Sequence, residues 1–80
     1  MREIEISLDS IDKVKKFVSI TTKLDAEIDL VSGRYVIDAK SIMGIFSMDL
    51  SKPLRLRIHE GKETVDDIID ILNEYVKKKW

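Results

Sequence analysis

Four times along this chain, apolar residues alternate with polar or charged ones at a period of two. Ile4, Ile6 and Leu8 alternate with Glu3, Glu5 and Ser7, and Ala26, Ile28 and Leu30 with Glu27 and Asp29. Tyr35, Ile37 and Ala39 resume the alternation after the turn signal Ser32-Gly33, and Leu54, Leu56 and Ile58 alternate with Arg55 and Arg57. The period gives each segment one apolar face, as in the half-buried strands of an antiparallel sheet. The second and third segments read as a hairpin.

The intervening stretches carry helical spacing. Asp9 or Ser10 can cap a helix in which Ile11, Val14, Phe17, Val18 and Thr21 lie opposite Asp12, Lys13, Lys15 and Lys16. It fades at the β-branched Thr21 and Thr22. Ser41 is placed to cap a short apolar helix, Ile42 to Met48, and Pro53 marks the break before the fourth strand. Thr64 followed by Asp67 opens a last helix with the stripe Val65, Ile68, Ile69, Leu72, Tyr75 and Val76. Lys77, Lys78 and Lys79 suit its negative end, and Trp80 either folds back on the domain or is disordered. The order β-α-β-β-α-β-α predicts an α+β fold in two layers, an antiparallel sheet with its helices on one side.

Eighty residues supply one core and one domain, residues 1–80. An apolar fraction of 44% and a charged fraction of 36% belong to a globular chain with a well-solvated surface. The absence of cysteine excludes a disulfide framework and a thiolate metal site. Met1 to Ser7 alternates charge with isoleucine and offers no apolar signal-peptide core, and no apolar run approaches the roughly 20 residues that span a bilayer. A net charge of −1 gives no general attraction to nucleic acid. The expectation is a cytoplasmic protein without direct nucleic-acid or membrane partners. Gly-rich phosphate loops, HExxH, GxSxG and Cys/His pairs are missing, so neither an enzyme nor a cofactor or metal site is expected.

The segment Ala39-Lys40-Ser41-Ile42-Met43-Gly44-Ile45-Phe46-Ser47-Met48 resembles HPr, the histidine-containing phosphocarrier of the bacterial sugar phosphotransferase system. Its Lys-Ser-Ile-Met-Gly core is characteristic of the Gram-positive branch, and the similarity extends over almost the whole chain in the same element order. The resemblance implies an open-faced β-sandwich, a four-stranded antiparallel sheet with three helices on one face, and a monomer. It also implies two phosphorylation sites. One is a histidine capping the first helix in a His-Ala-Arg-Pro motif, which relays phosphate from enzyme I; the other is a serine capping the second helix, modified by an ATP-dependent kinase.

Counting back from Ser41, anchored by Ile28, Leu24, Val18 and Phe17, places the histidine position on Ser10, the arginine position on Asp12 and the proline position on Lys13. A relay needs the labile P–N bond of a phosphoimidazole, whereas a serine phosphate ester is a poor donor. Asp12 puts a negative charge where the phosphoryl dianion would sit. The sequence therefore resembles the catabolite-repression HPr, in which the histidine is also absent and the serine kept. Ser10 itself is explained as a helix cap.

That resemblance makes Ser41 the candidate regulatory phosphorylation site, with Lys40 adjacent; a plain N-cap role is compatible with it. Lys40, Ile42, Met43 and Phe46 are the candidate partner-binding residues. A helix this short cannot bury Ile42, Met43, Ile45 and Phe46 together, and methionine suits an adaptable docking patch. The implied partners are an HPr kinase/phosphorylase and a LacI-type transcriptional regulator. A constitutive protein-binding module on the same scaffold, without phosphorylation, is the alternative. His59, the single histidine, reads as a surface-loop residue, and the Lys13, Lys15, Lys16 cluster as a solvated helix face.

Overall fold

The structure, a computed structural model, describes residues 2–59 and 61–79. The chain runs through β1 (Arg2–Ile6), α1 (Ile11–Thr21), β2 (Ile28–Ser32), β3 (Tyr35–Asp38), α2 (Ile42–Phe46), β4 (Leu54–Ile58) and α3 (Val65–Ile71). One 3₁₀ turn, Asn73–Tyr75, then leads into β5 (Val76–Lys79). The strands form one antiparallel sheet in the order β3-β2-β4-β1-β5.

Register explains why one face of this sheet is apolar. Ile4 lies opposite Leu56 and Ile6 opposite Leu54 across β1 and β4, while Ile28 meets Ile58 and Leu30 meets Leu56 across β2 and β4. All these side chains are buried in one cluster with Val14 and Phe17 of α1, Ile45 of α2, and Ile68 and Ile69 of α3. The helices thus cover a single face, and the expected open-faced sandwich is what forms. The other face carries the alternate residues: Glu3 pairs with Arg57 at 3.1 Å, and Arg57 also stands opposite Asp29 in register. Such half-exposed pairs stabilise by about 0–1 kcal/mol each, so the apolar face dominates.

Two local devices place α2. Thr21, buried at the end of α1, donates its hydroxyl to the Ala39 carbonyl at 2.9 Å. This ties the first helix to the turn that precedes Ser41. Gly44 lets α2 approach β3: a Cβ there would stand 2.6 Å from Ile37 Cγ2 and 3.0 Å from Ser41 Oγ. The hairpin between β2 and β3 has its two-residue turn at Gly33-Arg34, and Gly33 takes the positive φ of 58° that such turns require.

The C-terminus departs from expectation. The last helix stops at Ile71 instead of continuing through Val76, and Lys77–Lys79 lie in a fifth strand rather than at a helix end. Periodicity alone does not reveal this, because the apolar stripe is helical as far as Leu72. The 3₁₀ turn then keeps Tyr75 on the same side as Leu72, since residues three apart eclipse in that geometry. The unpaired outer edge of β1 decides the rest. Val76, Lys78 and Lys79 pair with Ile6, Glu5 and Ile4, and Ser7 N–H donates to the Tyr75 carbonyl at 2.9 Å. Tertiary hydrogen bonding here outweighs the weak helix preference of lysine. Smaller corrections concern boundaries and exposure. α2 ends at Phe46 rather than Met48, and Ile11, placed on the buried stripe by its spacing, is exposed in the first turn of α1. The reading of Trp80 lies outside the described residues.

Tyr75 packs edge-on against Phe17, ring centroids 5.5 Å apart at 89°. Its buried hydroxyl makes no well-formed hydrogen bond among the described residues. Burial, helped by the adjacent Glu74 carboxylate, pushes its pKa up to about 12. Below the unfolded value of 10.0 both states keep the phenolic proton, and the contribution to stability is complete. Above it the unfolded chain ionises first, so stability falls as pH rises toward the folded value, by roughly 1.4 kcal/mol per unit. In urea titrations Tyr75→Phe should flatten this alkaline loss and stabilise the neutral protein by about 1 kcal/mol, because an unsatisfied hydroxyl is removed. Thr21→Val should destabilise by about 1–2 kcal/mol, because it leaves the buried Ala39 carbonyl unsatisfied while keeping the side-chain shape.

Candidate functional site

Two serine-capped helix starts carry the residues singled out by sequence. Ser10 holds extended backbone angles, φ −145° and ψ 158°, and its Oγ accepts a hydrogen bond from Lys13 N–H at 3.1 Å. The hydroxyl is therefore used as the N-cap of α1. Asp12 is exposed in the first turn, where a carboxylate complements the positive end of the helix. Lys13 is paired with Asp9 at 2.8 Å, and this charge-assisted hydrogen bond holds the Asp9 carboxyl below the usual carboxylate range. Lys15 and Lys16 are exposed on the same helix.

Ser41 stands in the equivalent place on α2. Its backbone is extended, φ −99° and ψ 102°, its Oγ accepts from Gly44 N–H at 3.2 Å, and its carbonyl accepts from Ile45 N–H at 3.0 Å. Its own N–H donates to the Asp38 carbonyl at 2.9 Å, so the turn entering α2 is hydrogen-bonded on both sides. The half-buried Ser41 has one face of α2 against the core and one facing outward. Ile45 is fully buried and Ile42 packs partly buried against the core, whereas Met43 is 77% exposed and Phe46 40% exposed. The structure thus divides the four apolar residues of α2 between core and surface and leaves Ile42 only half available to a partner.

Lys40 has a structural task. Its Nζ donates to the Leu24 carbonyl at 2.7 Å, and its backbone N–H to Asp38 Oδ1 at 2.9 Å. Nearby, Glu63 Oε1 accepts from the backbone N–H of Asp25 and Ala26 at 2.9 and 3.2 Å. Partial burial pushes the Glu63 carboxyl up, but these hydrogen bonds together with the Lys40 charge outweigh it and leave the carboxyl below its ordinary value. The charge of Lys40 is therefore already engaged in joining the α1–β2 connection to the α2 turn.

His59 is not a free loop side chain. It follows β4, donates its N–H to the Glu27 carbonyl at 2.9 Å, and sets Nε2 3.1 Å from Asp29 Oδ2. By strand alternation both side chains belong to the open face, opposite the helices that carry Ser10 and Ser41. The described residues contain no group of three or more His, Cys, Asp or Glu placed to hold a metal ion, and no helix long and apolar enough to cross a membrane.

Sequence reasoning missed two residues that bear on this surface. Ile11, beside Ser10, is 63% exposed on the helix that contacts α2. Its spacing matched the buried stripe, and only its place in the first turn hinted otherwise. Thr21 read as the end of a helix, whereas its hydroxyl holds the turn before Ser41. A lone buried threonine on an apolar stripe is the signal that would have found it.

No protein-family model matches the sequence, and no curated protein matches it significantly. Solved structures do match. The crystal structure of HPr-C-His from Thermoanaerobacter tengcongensis superposes with a TM-score of 0.76 at 25% identity, covering 92% of this chain and 89% of that one. The phosphocarrier protein HPr from Bacillus anthracis gives a TM-score of 0.70 at 22% identity, covering 95% and 94%. The TM-scores and the near-complete mutual coverage agree, and the chain has the fold of the HPr phosphocarrier proteins.

Proposed function

We propose that this chain is a regulatory HPr-like protein, phosphorylated on Ser41, that does not relay phosphate. The observation that carries the reading is the contrast between its two serine-capped helices on one HPr fold. At the start of α1, where the resemblance puts the phosphocarrier histidine, Ser10 is bound to Lys13 N–H and is followed by Asp12. At the start of α2 the Lys40-Ser41-Ile42-Met43-Gly44 run is intact and displays Met43 and Phe46 outward. The single histidine lies on the opposite face of the sheet, paired with Asp29.

The chemistry follows from those groups. A serine ester on Ser10 would be too stable to pass a phosphoryl group onward, and Asp12 would repel it. A phosphate on Ser41 adds up to two negative charges beside an exposed apolar pair, a combination that an arginine-bearing partner recognises. Met43 and Phe46, with Ile11 on the neighbouring helix, supply the apolar part of that contact, flanked by Lys40 and Ile42. The modifying enzyme is an HPr kinase/phosphorylase and the reader a LacI-type transcriptional regulator in cytoplasmic catabolite control. The protein acts by binding rather than by catalysis.

A second reading is favoured by one observation: the Lys40 ammonium and the Ser41 hydroxyl are already engaged, on the Leu24 carbonyl and Gly44 N–H. On that reading the chain is a constitutive protein-binding module and Ser41 only a helix cap. Intact-mass spectrometry after incubation with ATP and an HPr kinase separates the two. The wild type should gain one phosphate and Ser41→Ala none, the substitution costing about 1 kcal/mol of stability for the lost cap. No gain from a kinase active on its own HPr would leave the binding module as the function.

A further inference from the structure

The two edges of the sheet are defended very differently. The β5 edge reads Val76-Lys77-Lys78-Lys79, and lysines on an edge discourage pairing with another chain. The β3 edge reads Tyr35-Val36-Ile37-Asp38 and contains no lysine. Tyr35 is 71% exposed and Val36 54% exposed. Tyr35 and Ile37 turn their backbone groups toward β2, in phase with the Ala39 N–H bond to the Ile28 carbonyl at 2.9 Å. Strand alternation therefore directs the N–H and C=O of Val36 to the open edge.

That edge is complementary to itself. Two copies of β3 laid antiparallel about a twofold axis at Val36 place Arg34 opposite Asp38 of the second copy, and Tyr35 opposite its Ile37. Val36 meets its own equivalent and exchanges both backbone hydrogen bonds with it. The Arg34 side chain has no hydrogen bond or ion pair within the described residues, while Asp38 offers a carboxylate that caps only the Lys40 N–H. On the open face Val31 stands beside Val36 in register, so the pairing would align four valines across the axis between two charge pairs. We propose that the β3 edge is a homodimer contact in which a second copy of this chain extends the sheet antiparallel, centred on Val36, with Arg34 paired to Asp38 across the axis.

The contact is small, a few residues from each copy, so the association is weak, with a dissociation constant on the order of 0.1–1 mM. It involves neither Ser41 nor Met43 and stands independently of the proposed function.

Sedimentation equilibrium from dilute to millimolar protein tests it, with circular dichroism confirming that each variant is folded. The wild type should move from monomer toward dimer as concentration rises. Arg34→Glu makes both charged positions acidic and Asp38→Lys makes both basic, so each variant alone should self-associate at least about tenfold more weakly. Mixed together, the two should pair with each other at near wild-type affinity, because both cross-axis pairs are then of opposite charge. A monomeric wild type at millimolar concentration overturns the proposal. So does self-association that the single variants leave unchanged, or that their mixture fails to restore. Should Asp38→Lys prove unfolded, Val36→Pro replaces it, since it removes an edge-facing N–H and no bond to β2. Dimerisation that survives Val36→Pro would equally overturn the assignment.

Discussion

The fold depends on β4 lying between β1 and β2 in a single register. Its inner residues, Leu54, Leu56 and Ile58, are buried and meet Ile6, Ile4, Leu30 and Ile28, while Arg55 and Arg57 face outward toward Glu5, Glu3 and Asp29. A slip of one residue would drive both arginines into the core and bring the isoleucines to water. That cost exceeds anything the surface ion pairs contribute, so the hydrophobic alternation sets the register and the charges merely agree with it. Everything functional is placed relative to this face. α1 and α3 lie on it, Thr21 anchors the turn after β3, and Gly44 brings α2 down onto Ile37.

The rigid placement of α2 has a chemical consequence. A five-residue helix cannot hold itself together by its own hydrogen bonds, so its stability comes from the Ser41 cap at one end and the buried Ile45 below. The residues that fasten it to the domain also fix Met43 and Phe46 outward. The same helix therefore carries a capping serine hydroxyl and an outward apolar pair as one unit. At α1 the cap is chemically similar but its neighbours are not: Asp12 and the Asp9–Lys13 pair make that helix start an internally satisfied surface. Two helix starts of similar geometry thus carry different prospects because of the charges beside them.

Local pattern carried much of the architecture. The four alternating segments, the hairpin and the caps at Ser10, Ser41 and Thr64 are all decided by near neighbours and all form, although Leu8, Ala26 and Ala39 fall just outside the strands and the turn sits at Gly33-Arg34 rather than Ser32-Gly33. What escaped was decided by distant partners. β5 exists because β1 has an unpaired edge 70 residues away in sequence. Lys40 is held by Leu24, His59 by Asp29 and Thr21 by Ala39, and no spacing rule reports such pairs. The candidate site divides in the same way. That α2 cannot bury all its apolar residues follows from helix length, but which of them face inward, like the exposure of Ile11, is set by packing against the rest of the domain.

The central claim is that an HPr fold has been kept while the chemistry of phosphate relay has not. Incubation with enzyme I and phosphoenolpyruvate, followed by acid treatment of the labelled protein, addresses it most directly, because a phosphohistidine is lost in acid and a phosphoserine survives. The account predicts no acid-labile phosphate on this chain under conditions that label an ordinary HPr to completion. Acid-labile label, removed by His59→Ala, would contradict it and make the histidine beside Asp29 a phosphoacceptor.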